Sequence, residues 1–87
     1  MFIWVNANDN LKKRVYSGIL EKYYEENNYG SISLMHYSPH QDLITVISSS
    51  GETHSYYVEF ITEDLPLYIV KIHTSPTAIH TPTSKLA

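Results

Sequence analysis

The sequence predicts an α+β fold, with one helix packed on a mainly antiparallel sheet of four to five strands in the order β-α-β-β-β-β and a flexible C-terminal tail. Two observations carry most of this. Leu11, Val15, Ile19 and Tyr23 repeat every four residues and form the one convincing helical stripe. After it come four runs rich in β-branched and aromatic residues, separated by turns short enough for hairpins. A third observation is a change of character at Thr74, where the chain becomes rich in Thr, Ser and Pro.

Phe2–Val5 is a short run of strand-forming residues. Asn6-Ala7-Asn8-Asp9 follows, and Asn6, Asn8 or Asp9 is expected to cap the helix, because each side chain can accept from the unpaired N–H groups of a first turn. The helix is expected from about Asp9 to Glu26, with Arg14, Ser17, Gly18, Glu21 and Glu25 on its outer face. Asn27 to Gly30 ends it, with Asn or Gly supplying a left-handed terminator. The strands are expected at Ser31–Tyr37, Leu43–Ser48, His54–Ile61 and Leu67–His73. Alternation assigns Ile32/Leu34/His36, Tyr56/Val58/Phe60 and Leu67/Ile69 to apolar faces. Tyr57, Ile61, Tyr68, Val70 and Ile72 then crowd the opposite faces, which calls for a cover by the tail or a partner. A parallel crossover from first to second strand would be right-handed.

At 87 residues the chain forms one domain, taken as 1–73, followed by the tail, 74–87. It has no cysteine, which removes disulfides and thiolate metal sites and fits a reducing compartment. Its start lacks the basic and long apolar segments of a signal peptide, and no run approaches the length that spans a bilayer. These features point to the cytoplasm of a bacterial or viral system and away from membranes. The net charge of −3 argues against binding nucleic acid over the whole surface, while a local basic patch remains open.

Three of the six basic residues, Lys12, Lys13 and Arg14, stand together at the helix start, while Glu21, Glu25 and Glu26 stand at its end. This opposes the helix dipole at about 0.3–1 kcal/mol per exposed charge, so the pattern suggests a binding role. Strand direction groups the basic run with Asn6, Asn8, His36 and His40 at one end, and His54 with His73 near Glu25 and Glu26 at the other. The basic end could hold an acidic protein patch or a phosphate, although no glycine-rich cradle is present. It reads more simply as a solvated turn.

His36 and His40 have the spacing of two metal ligands only if strand end and turn curl together, and a zinc site would still lack two ligands. They read as strand-end and turn histidines. His54 with His73 has the makings of a general acid–base pair for ribonuclease-like chemistry, yet no nucleophile or oxyanion site accompanies it. Eight tyrosines outnumber two Phe and one Trp, and Tyr57 and Tyr68 are candidates for interface contacts. With one Lys on the strands, stacking of nucleic-acid bases is less favoured than protein contact.

The sequence therefore favours a small non-enzymatic protein-binding module, with Lys12, Lys13, Arg14, Tyr57 and Tyr68 as binding candidates and the four histidines as weaker ones. It resembles in size and style an inhibitor or regulator of a larger host complex carried by a phage or mobile element, which is analogy at the level of class. The alternative is a nucleic-acid or phosphate binder using the helix start. No cofactor, metal or catalytic set is indicated, and homodimerisation by a sheet edge or the second apolar face is a further expectation.

Overall fold

The computed structural model describes residues 1–6, 8–62 and 67–74. The expected tail from Ser75 onward and the connection 63–66 lie outside the described residues. Six elements follow in the expected order: β1 (Phe2–Asn6), α1 (Leu11–Glu26), β2 (Ile32–Ser38), β3 (Leu43–Ser48), β4 (Thr53–Thr62) and β5 (Leu67–His73). The strands form one sheet in the order β1-β5-β4-β3-β2, and each neighbouring pair is antiparallel. β1 therefore pairs with the last strand and not with β2, so no parallel crossover pairing occurs. The two strands flanking the helix occupy opposite edges, four strand spacings or about 19 Å apart.

The helix begins at Leu11, the first residue of the apolar repeat and two residues after the expected start at Asp9. Asn10 is the cap, and its Oδ1 accepts from the Lys13 N–H at 3.0 Å. Asn6, Asn8 and Asp9 do not cap it. Asp9 stands outside the helix, where its N–H donates to the Asn6 carbonyl and its carboxylate accepts from the Asn6 N–H. The first turn thus contains no acidic residue to offset the basic run. At the other end Asn28 and Tyr29 take positive φ, 50° and 59°, while the Tyr29 N–H reaches back to the Tyr24 carbonyl. Asn tolerates that conformation through its short polar side chain; Tyr29 does not share this advantage, but its ring stacks on Tyr24 at 5.9 Å.

Val15, Ile19 and Tyr23 are buried, as their spacing predicted. Gly18 is buried too, against the expectation of an outer-face position. A Cβ there would lie 2.4 Å from Ile3 Cδ1, so the missing side chain lets the helix approach β1 closely. The helix covers Ile3, Val5, Ile44, Val46, Tyr56, Val58, Val70 and Ile72, which form the core with Val15, Ile19 and Tyr23.

Two strands turn differently from the alternation first assigned. In β2 the register shifts between Ile32 and Leu34. This irregularity leaves Ile32, Met35 and Tyr37 against the core and sends Leu34 and His36 to the far side. In β5, Tyr68, Val70 and Ile72 face the helix, so Leu67 and Ile69 belong to the far side. Both halves of that strand's alternation start apolar; Lys71 and His73, at its end, decide which half stays out of the core. In β4, Tyr56, Val58 and Phe60 face the core as expected.

The β3–β4 hairpin closes through Ser48, whose carbonyl accepts from Gly51 and whose N–H donates to the Glu52 carbonyl. Gly51 has φ 92°, the left-handed residue such a turn requires. In the β2–β3 connection Asp42 is buried with φ 44°, accepts the Tyr37 hydroxyl at 3.0 Å and gives its carbonyl to the Val58 N–H.

Candidate functional site

With the helix on one side, the opposite side of the sheet is left without a covering element among the described residues. Strand pairing defines what it presents. Phe2 lies in register with Lys71, Trp4 with Ile69, Tyr57 with both Leu43 and His73, and Leu34 with Ile47. Trp4 is 58% exposed, Phe2 56% and Leu34 54%, and Ile61 is exposed at the β4 bulge. Trp4 and Phe2 hold one edge of this face and Leu34 the other.

A polar rib crosses the middle. His73 Nε2 and Glu59 Oε1 are 2.7 Å apart, with both side chains largely covered. Lys71 is in register with Glu59, and its Nζ lies 5.5 Å from the centre of the Phe2 ring. The rib's charged groups lie beside one another on the face itself, while Trp4 and Leu34 at its edges stay more than half exposed. An exposed apolar face crossed by satisfied polar groups has the composition of a protein interface, in which aromatics dominate binding and charges fix orientation.

The structure separates several residues that strand direction alone had grouped. Tyr57 is half-buried on the open face, whereas Tyr68 packs on the helix side against the core. His54 is in register with the buried Val46 and its ring meets Tyr23 edge-on at 5.1 Å, so it lies on the helix side. His73 lies on the open face. The sheet thus stands between the two histidines and prevents them from sharing a substrate. His36 also faces the open side, on the edge strand far from β1, and His40 is exposed in the β2–β3 connection. Neither joins Lys12, Lys13 and Arg14. Among the described residues no group of three His or carboxylate side chains is placed to hold a metal ion.

The basic run itself divides into three environments. The Arg14 guanidinium donates to the Trp4 carbonyl at 3.3 Å, which caps an otherwise unpaired acceptor on the β1 edge. Lys12 Nζ sits 5.7 Å from the Tyr16 ring centre. Lys13 makes no ion pair with any described residue. The three line a shallow groove along the outer helix with Asn10, Ser17 and Leu20.

The acidic end holds a small polar pocket bounded by Tyr23, Asn27, Ser31, Ser50, Glu52 and His54. Its hydroxyls serve the turn: Ser48 Oγ is 2.9 Å from Ser50 Oγ and accepts from the Glu52 N–H. His54 Nε2 lies 3.5 Å from a Glu52 carboxylate oxygen, near enough for attraction but without a hydrogen bond. No serine is bonded to His54, so a nucleophile held by its base is not formed here. Nearby, burial first and then the Glu26 carboxylate push the Tyr56 hydroxyl up to about 12.

The exposure of Trp4 and Phe2 is hidden in the sequence because Phe2–Val5 reads as one apolar run. Their signal was parity. Phe2, Trp4 and Asn6 alternate with Ile3 and Val5, and the two aromatics share the side that also carries a polar residue.

No helix among the described residues is long and apolar enough to cross a membrane. No family model matches the chain, and no curated protein or solved structure is significantly similar to it.

Proposed function

We propose that this protein is a small non-enzymatic binding module that regulates or inhibits a larger protein complex by laying the open face of its sheet on a partner. One observation carries the reading: the sheet face away from the helix exposes Trp4, Phe2 and Leu34 across both edges of the domain. Large exposed aromatics cost solubility, and Trp and Tyr are the side chains that most often anchor protein interfaces. The nucleic-acid alternative has less support, because Arg14 and Lys12 are engaged within the chain and the histidines lie elsewhere.

The test is retention of the native partner by the purified, tagged protein. Trp4→Ala is expected to weaken retention by at least about ten-fold, the scale of one interface anchor. Tyr57→Ala should weaken it less, and both variants should keep the wild-type circular dichroism. Unchanged retention by Trp4→Ala and by Leu34→Ala would overturn the reading. So would tight, salt-sensitive RNA binding abolished by Lys12→Glu with Lys13→Glu.

A further inference from the structure

Lys13, Glu21 and Glu25 are exposed, and none of them makes an ion pair with a described residue. They lie with Ser17 on the helix face turned away from the sheet. Lys13 and Glu21 are each four residues from Ser17, on opposite sides of it. Arg14, next to Lys13 in the chain, turns to the β1 edge instead, where it donates to the Trp4 carbonyl. The face is therefore positive in its first half and negative in its second, with a small residue at the midpoint and the half-buried Leu20 and Tyr24 alongside.

We propose that this face binds the same face of a second copy of the chain, with the two helices antiparallel about a two-fold axis near Ser17. The arrangement is self-complementary. Lys13 of one copy meets Glu21 of the other, and the same contact repeats across the axis. Lys13 and Glu21 are about 12 Å apart along the helix, so one register satisfies both sets. Ser17 at the crossing lets the backbones approach. Leu20 and Tyr24 add apolar area that each copy leaves partly exposed.

The pairing also explains a charge order that works against the single helix. Basic residues at a helix N-terminus and acidic ones at its C-terminus are repelled by their own dipole. In an antiparallel pair the basic end of each helix lies beside the negative end of its neighbour, and the acidic end beside the positive one. The charge distribution that disfavours the isolated helix favours this neighbour. A parallel pairing would set Lys13 against Lys13 and Glu21 against Glu21, which fixes the antiparallel choice. The open sheet face is left free on both copies, so this dimer is independent of the function proposed above.

Sedimentation over a concentration series tests the pairing. The full-length wild-type chain should dimerise at about 0.05 M salt, with Kd rising at least about ten-fold by 0.5 M as the charges are screened. Lys13→Glu should be monomeric, and so should Glu21→Lys with Glu25→Lys. Mixing these two variants should restore association, because their faces now carry opposite charge throughout. Lys13→Glu places an acidic residue at a helix N-terminus, which assists the helix, so loss of folding does not confuse the result. Trp4→Ala should dimerise as the wild type does. A chain that stays monomeric at low salt and high concentration would overturn the proposal. A dimer untouched by either charge reversal, or one abolished by Trp4→Ala alone, would do the same.

Discussion

Tyr56 and Tyr57 are adjacent in the chain and lie on the two faces of one sheet. Tyr56 is sealed under the helix beside Tyr23 and Glu26. Tyr57 is half-buried on the other face, in register with Leu43 and His73. The residue types on the two faces overlap widely: Val, Ile and Tyr on one, Phe, Trp, Leu, Ile and Tyr on the other. What separates them is a single helix of sixteen residues, about 24 Å long. It can cover one face and no more. On the covered face apolar area becomes stability. On the open face the same kind of area remains available for binding, and the polar rib of Glu59, Lys71 and His73 interrupts it.

The sharpest way to break this comparison is to truncate one large apolar residue on each side. Ile19 is fully buried, and Ile19→Ala should cost about 2–5 kcal/mol through lost transfer energy and the cavity left behind. Trp4→Ala removes a larger side chain yet should cost under about 1 kcal/mol, because Trp4 already faces water. Urea denaturation midpoints at pH 7 read both. A stability loss at Trp4 matching that at Ile19 would mean that the open face is covered in solution.

The covered face also carries a titration signature. The pKa of the folded Tyr56 hydroxyl is pushed up to about 12, chiefly by burial, from the ordinary tyrosine value of 10.0. Below pH 10 both folded and unfolded chains keep this proton, and its contribution is fully present. Between about pH 10 and 12 the unfolded chain releases the proton and the folded chain keeps it, so stability falls as pH rises. Two pH units correspond to about 2–3 kcal/mol as an upper bound. Tyr56→Phe should flatten that fall relative to wild type in denaturation measured from pH 9 to 12. Parallel curves for the two proteins would place the Tyr56 hydroxyl in contact with water.

Much of this contrast was legible in the sequence, and the exceptions have physical causes. The element order and antiparallel meander followed from one apolar repeat and from turns built on polar residues and Gly51. The identity of the strand beside β1 was not local information, since it depends on where the helix returns the chain. The β2 irregularity at Ser33 inverted the alternation after Ile32, and a period-2 reading carries straight through such a point. Gly18 looked like an outer residue because its angle around the helix borders both faces; only the close approach to Ile3 makes it part of the core. For the site, strand direction grouped His54 with His73 at one end, whereas the register sets His73 opposite Tyr57, three residues along β4 from His54. Parity then put them on opposite sides of the sheet, as their registers with Val46 and Tyr57 demonstrate.

The smallest expected effect lies on the open face, where Lys71 sits above the Phe2 ring. A cation at this distance from an exposed ring is worth about 0.5–1 kcal/mol, and it persists only if the two side chains keep each other's company in water. Lys71 is also in register with Glu59, so Lys71→Met alone would mix loss of the ring contact with loss of a positive charge near that carboxylate. A double-mutant cycle with Phe2→Leu separates them, since the Glu59 contribution cancels between the two Lys71 substitutions. A coupling of about 0.5 kcal/mol would place the Lys71 stem over Phe2 in the free protein, shielding one aromatic and leaving Trp4 as the main exposed anchor at the β1 edge. Zero coupling would leave Phe2 as open as Trp4 and double the aromatic surface that a partner can cover there.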